Sequence, residues 1–256
     1  MSAEYFSTGS FDYAKYRPRY PAEWFDWLAA QCPRRGLAWD CACGSGQATE
    51  DLARRFQKVI ATDASAAQLL NTPLLPNVEW RLASGEASGL DAERVDLVTV
   101  AQALHWFDLG RFWQECRRVS KPAGIIAVWG YGIADLSHEL ANGIFQDFYH
   151  GALGDFWPKE RRMVEEGYKG IDFPFPEISL PRFAMRQLWD ADHIAGYCAS
   201  WSATDRYRNA TGRDPIPELS EKFKLELGSE ATEIRWPFFA RVGRVFHVEQ
   251  NAEEDN

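Results

Sequence analysis

Basic residues are in short supply in this 256-residue chain: 28 Lys and Arg stand against 37 Asp and Glu, a formal net charge of −9. Broad binding to nucleic acid or to an anionic membrane surface needs a basic footprint, so neither partner is expected. No segment approaches the ~18 consecutive apolar residues of a membrane-spanning helix. Met1-Ser2-Ala3-Glu4 lacks the basic-then-apolar pattern of a secretory leader. Cysteine is sparse, and Cys32, Cys41, Cys43, Cys116 and Cys198 are odd in number and scattered. That points to reduced thiols in a cytoplasmic protein rather than to a disulfide framework. Cys41 and Cys43 form C-x-C on an expected strand, but no second Cys/His pair has zinc spacing, so no metal site is expected. Internal repeats and low-complexity tracts are also missing.

What is present is an ordinary apolar content with an unusual share of large rings. The hydrophobic fraction of 46% suits a globular chain, and the length suits one large α/β domain or one domain with an insertion. The 11 Trp are more than usual; such residues serve either as core or as the lining of an apolar ligand pocket.

Hydrophobic periodicity sets the architecture. Pro21 suits the first position of a helix carrying Trp24, Phe25 and Leu28. Strands are predicted over 37–43, 58–63, 78–83, 96–102 and 124–129, alternating with helices over 47–57, 65–70 and, capped by Asp108, from Leu109 to Val119. Strands alternating with helices at this spacing mean a parallel sheet in an α/β fold. Residues 134–175 break the pattern and read as an inserted helical, aromatic cap. Further on, 180–189 looks extended, 190–200 and 217–228 look helical, and 231–248 is a long extended segment in which Pro237 marks an edge or a bulge.

The most informative stretch is Leu37 to Thr49. It reads as a buried strand ending in the turn Gly44-Ser45-Gly46, which opens into a helix. Such a turn brings main-chain atoms close to a small ligand at the carboxyl end of a parallel strand. Asp63, at the end of the next strand, is placed to accept hydrogen bonds from both ribose hydroxyls of an adenosine. Nicotinamide enzymes and S-adenosylmethionine (SAM) enzymes share this logic. A dinucleotide fingerprint needs a third Gly or Ala where this chain has Thr49, and Asp40 would repel a pyrophosphate while suiting the cationic aminoacyl end of SAM.

At these residues the chain resembles the class I SAM-dependent methyltransferases. Asp40-Cys41-Ala42-Cys43-Gly44-Ser45-Gly46 is similar to their first motif, with Ala42 where family members often have Gly. Ile60 to Ser65 resembles the ribose-binding motif, Ala83-Ser84-Gly85-Glu86-Ala87 the adenine-side loop, and Val95 to Phe107 the fourth-strand motif. The segments Phe11 to Pro21, Ala101 to Phe107 and Ser200 to Thr204 are similar to the trans-aconitate and cantharidin methyltransferase group. The resemblance implies a Rossmann-like seven-stranded sheet, mostly parallel with one antiparallel strand near the C-terminus, plus a helical aromatic cap. It divides the chain into an N-terminal helical lid (1–36), a SAM-binding core (37–133), the cap (134–176), C-terminal strands and helices that complete the sheet and the acceptor pocket (177–248), and a tail (249–256).

The cofactor-binding residues it implies are Asp40, Cys41, Ala42, Cys43, Gly44, Gly46, Asp63, Ala64, Ser65, Gly85, Glu86, Ala101, Gln102 and Trp106, with Tyr13 and Tyr16 closing from the lid. Candidates facing a small-molecule acceptor are Arg17, Tyr20, His105, Trp129, Tyr131, Trp201 and Tyr207, with His105 as positioning group or general base. Arg17 and Arg19 could attract an anionic acceptor, and an aromatic wall with an Arg clamp from Arg206 or Arg208 would suit a small organic acid whose carboxylate oxygen is methylated. Each of these residues also has a plainer reading as core or solvated surface. Two rival functions stand beside this one: a SAM-binding protein without catalysis, and an NAD(P)-dependent oxidoreductase.

Overall fold

A computed structural model describes residues 15–70 and 72–246. The first helix, α1 (Ala22–Gln31), buries Trp24, Phe25, Leu28 and Ala29. Then come β1 (Leu37–Cys41), α2 (Gln47–Ala53), β2 (Lys58–Asp63), α3 (Ala66–Leu69), β3 (Val78–Leu82), β4 (Val95–Ala101), α4 (Leu109–Val119) and β5 (Ser120–Tyr131). Asp108 caps α4 by accepting from the Arg111 amide, as its position before the apolar period predicts. β5 starts at Ser120, ahead of the strand predicted from Gly124, and its pairing with β4 shifts register between Val95 and Leu97.

The remaining elements are β6 (Asp135–Leu136), α5 (Glu139–Asp147), α6 (Arg161–Glu165), β7 (Met185–Trp189), α7 (Ala191–Ala199), α8 (Ser202–Thr211), α9 (Ile216–Leu227), β8 (Thr232–Trp236) and β9 (Phe238–Arg244). The main sheet has the order β3-β2-β1-β4-β5-β9. Its first five strands are parallel, and β9 runs antiparallel to β5. Of the seven strands expected, the described residues form six. At the seventh position Glu177 makes a single bridge to Gly243, Ile178 N donates to Val242 O at 2.8 Å, and Arg244 N donates to Pro176 O at 3.1 Å. Pro174, Pro176 and Pro181 carry no N–H, so this edge cannot extend into a ladder.

The sheet is covered on both faces, as its nearly all-apolar central strands require. On one side α1 and α2 pack on Ala38, Leu97, Ile125, Ala127 and Trp129. On the other, Phe112, Trp113, Cys116 and Val119 of α4 pack on Trp39, Val98, Val100 and Val128, together with Tyr168, Phe173 and Phe175.

A second sheet, β6-β8-β7, is antiparallel throughout. With α5, α7 and α9 it encloses a separate aromatic core around Phe145, Tyr149, Tyr197, Trp201, Phe223 and Trp236. Pro237 falls between β8 and β9, so the long extended segment supplies one strand to each sheet. Beside it, residues 132–134 carry the chain from β5 into β6, and Gly132 N donates to Pro237 O at 2.9 Å. The two crossings form a two-stranded ribbon, with Tyr131 opposite Phe238 in one sheet and Asp135 opposite Arg235 in the other. Among the described residues no helix is long and apolar enough to cross a membrane.

Candidate active site

A cavity of about 870 Å³ opens at the carboxyl ends of β1, β2 and β4. That volume falls within the range of about 300–1,000 Å³ usual for small-ligand sites, and the place is the crevice where ligands bind in open parallel sheets. Its floor is the turn after β1. Ala42, Gly44 and Gly46 all have left-handed backbones, with φ of 53°, 56° and 92°. Cys43 N donates to Thr62 O, and Glu50 N donates to Gly46 O, both at 3.0 Å, so the turn is tied to β2 and to the start of α2. Glycine is required at position 46 twice over, because an added Cβ would come within 2.5 Å of the Trp80 ring.

Two carboxylates frame this turn. Asp40 is fully buried and accepts from Thr49 Oγ1 at 2.6 Å and from Thr99 Oγ1 at 2.9 Å. Burial pushes its pKa up to about 6, the two hydroxyls opposing the rise. Asp63 accepts from the Gly44 amide at 2.9 Å through one oxygen and from the Ser65 amide at 2.8 Å through the other. Burial raises its pKa too, against the pull of those amides. Both carboxylates line the cavity. So does Gln68 Oε1, a buried acceptor with no hydrogen-bond partner among the described residues. No sequence signal singles out Gln68.

Of the other residues singled out from the sequence, Ala42, Cys43, Gly44, Ala64, Ser65, Gly85, Glu86, Ala101, Gln102, Trp106, Tyr20 and Tyr131 line the cavity. Glu86 also accepts from the Asp108 amide at 3.0 Å, and so holds the start of α4 against the loop. Gln102 has φ 55°, and its carboxamide bridges Tyr131, accepting from its N–H at 2.9 Å and donating to its carbonyl at 3.1 Å.

Several expected contributors stand elsewhere. Cys41 is fully buried behind Gly85, where an added Cβ would stand 3.0 Å from the Cys41 sulfur. Gly46 faces Trp80 rather than the cavity. Trp129 sits a rung below Tyr131, covered by Tyr20, Trp24 and Phe25, so its ring is core. Trp201 is buried among Phe145, Tyr149, Trp157 and Tyr197. Tyr207 packs on Phe156, and Tyr16 packs on His193 and Gly196. Arg17 donates to Ser200 O at 2.7 Å at the end of α7 and lies over the Tyr197 ring. His105 points to Tyr168, with Nδ1 3.2 Å from its hydroxyl. Tyr13 lies outside the described residues. Glu160 of the cap and Arg206 of α8 complete the cavity wall; Arg206 is one of the arginines the sequence offered as a clamp, whereas nothing local marks Glu160.

Comparison with known proteins gives one consistent answer. A methyltransferase domain model matches residues 39–128. A Dictyostelium discoideum protein named as a methyltransferase is 33% identical over 219 residues, covering 84% of this chain and 83% of its own. A Saccharomyces cerevisiae protein named as an S-adenosylmethionine-dependent methyltransferase is 33% identical over 133 residues, covering 48% of this chain and 45% of its own. The structure of an Anaeromyxobacter dehalogenans protein, named as a type II methyltransferase, superposes with a TM-score of 0.82 at 40% identity, covering 90% of this chain and 99% of that one.

Proposed function

Since this chain belongs to the class I SAM-dependent methyltransferases, we propose that the cavity above Gly44 binds SAM and that the cap presents a small organic acid to it. The observation that carries the donor half is Asp63. Each of its oxygens already holds one backbone N–H, which fixes the carboxylate plane and leaves lone pairs for two ribose hydroxyls. Asp40 and the unpartnered Gln68 Oε1 are acceptors at the turn, where a cationic aminoacyl end would supply donors. Gly85 and Glu86 lie on the loop that would read the base, and Trp106 would wall the cofactor.

When bound, SAM supplies an electrophilic methyl group, whose bond to sulfur breaks as an acceptor lone pair attacks. The protein's part is to position the two reactants and keep water out. On the acceptor side Tyr20, Tyr131 and Arg206 line the cavity; a guanidinium in a partly aromatic wall suits a small carboxylate. In this reading the main sheet is the donor layer and the second sheet, with its helices, the acceptor layer. The resemblance of the segments around Tyr16 and His105 to the trans-aconitate and cantharidin group supports the same acceptor class. The five cysteines, all unpaired, suit a reducing cytoplasm.

Calorimetry with SAM, S-adenosylhomocysteine and NADH tests the donor half: SAM and its product bind, and NADH does not. Binding of NADH alone would overturn the reading. Transfer of labelled methyl from SAM to a panel of small acids, phenols and amines tests the acceptor half. Turnover confined to the acids is expected; SAM binding with no turnover on any of them would favour a non-catalytic SAM binder.

A further inference from the structure

β4 ends at Ala101, in register with Trp129, but β5 runs two residues further, through Gly130 to Tyr131. The chain leaves the sheet at Gln102, whose backbone is left-handed with φ 55°, and enters a single turn of 3-10 helix, Leu104–Trp106. Gln102 still donates its N–H to Trp129 O at 2.8 Å. In a regular parallel ladder the carbonyl of residue 102 and the N–H of residue 104 would then meet the main chain of Tyr131. Here the Gln102 carboxamide does both. Oε1 accepts from the Tyr131 N–H at 2.9 Å, and Nε2 donates to the Tyr131 carbonyl at 3.1 Å. The orientation of the amide is fixed by these partners, because a main-chain N–H only donates and a carbonyl only accepts.

The surroundings are built for this bridge. A Cβ on Gly130 would run into Gln102 Oε1 and come within 2.8 Å of the Phe239 ring, so the rung beneath the carboxamide is glycine. An ionised Glu at position 102 would bring no donor to the Tyr131 carbonyl, and Asn would be a methylene short. A left-handed glutamine is uncommon, and such strain persists where the surrounding structure holds one geometry. What is held is Tyr131. It lines the cavity, as do Ala101, Gln102 and Ala103. Its ring stands against Tyr20, with centroids 6.0 Å apart, and edge-on to Trp236 of β8 at 6.5 Å. The next residue, Gly132, begins the crossing to the second sheet.

We infer that Gln102 is a positioning residue: its carboxamide stands in for the missing end of β4 and fixes Tyr131, so the ring on the acceptor side of the cavity is set from the segment that flanks the donor side. The assignment of the two sides to donor and acceptor rests on the methyltransferase reading above; the bridge does not.

The test is Gln102→Met, which keeps the length of the side chain but has neither of its hydrogen-bonding groups. Amide exchange on the full chain, followed by NMR, reads the bridge. The Tyr131 amide should exchange at least ~10-fold faster in the variant, while the Gly130 amide, which points the other way towards Phe239 of β9, should not change. An unchanged Tyr131 amide would overturn the inference. Labelled methyl transfer from SAM to the best acceptor of the panel reads the function. Gln102→Met should lower kcat/KM on the order of 10-fold, and that loss should vanish in a Tyr131→Leu background, where there is no ring to place. An equal loss in both backgrounds would show that Gln102 acts by another route, and would overturn the positioning role. Should Gln102→Met not fold, Gln102→Asn reads the same two quantities. Exchange needs no ligand: if S-adenosylhomocysteine does not bind, the methyltransferase reading falls while the bridge is still decided, and an unchanged Tyr131 amide in an active enzyme sinks the inference alone.

Discussion

Thr49 donates its hydroxyl to Asp40 across 2.6 Å, and neither residue has any exposed surface. The residue that argues against a dinucleotide fingerprint is thus the one that supports the acidic residue of the first motif. A third glycine at position 49 would leave Asp40 with Thr99 as its one remaining hydroxyl partner.

This arrangement makes stability depend on pH in a defined sense. In the folded protein Asp40 holds its proton up to about pH 6, whereas an unfolded Asp releases it near pH ~3.9. The folded state therefore binds more protons between these values, and the stability Asp40 contributes is complete below pH ~4 and lost as pH rises through ~6. The loss is on the order of 2–3 kcal/mol. Urea unfolding of the wild type and Asp40→Asn at pH ~4.5 and ~7.5 measures it; the mutant should lack this part of the pH slope, and equal slopes would refute the assignment.

Donor affinity should run the other way with pH. In the proposed complex Asp40 would meet the cationic end of SAM best when ionised, so acidification should weaken binding, and the raised pKa of Asp63 acts in the same direction. Between pH ~7 and ~5.5 the Kd for SAM should rise about fourfold from Asp40 alone. Calorimetry at the two pH values, with Asp40→Asn as a control that has lost the dependence, checks this.

Asp63→Ala removes two fixed acceptors of backbone N–H groups together with the proposed ribose contacts. At roughly 1 kcal/mol or more for each lost hydrogen bond, SAM should bind at least ~10-fold more weakly. Asp63→Asn, which keeps one acceptor oxygen, should fall between. Unchanged affinity in a mutant with native circular dichroism would show that Asp63 is not at the ribose.

Gly46→Ala combines a left-handed φ of 92° with a Cβ driven against Trp80. A loss of about 1–3 kcal/mol is expected, read as a lower thermal midpoint. Gly143→Ala makes a matched control, since an added Cβ there meets nothing within 4 Å and the position is in a helix; it should not lower the midpoint.

The turn after β1 and its two carboxylates were legible because they are local. Strand, turn and helix follow one another between Leu37 and Ala53, and Asp63 ends the adjacent strand. Glu160 was not, because it joins Tyr131 and Arg206 in the cavity wall only through the tertiary fold, and nothing in the residues around it marks that place. Tryptophan misled for the same reason. Trp129 and Trp201 have the composition of a pocket wall, yet each is covered by rings distant in sequence and packs as core. The helix Ser202–Thr211, which carries Arg206, lies in a segment whose sequence shows only a family signature. Pro237 was visible as an interruption; that it separates strands of two different sheets was not.

The ribbon through Gly132 and Pro237 gives that interruption its meaning. One pair of antiparallel strands passes from sheet to sheet, hydrogen-bonded across the junction itself. The spacing of the two layers is therefore gauged by main chain, a length that substitutions do not change. Side chains of the second layer can be exchanged while its distance from the main sheet stays as built, so the ribbon is the ruler against which new cavity walls can be cut.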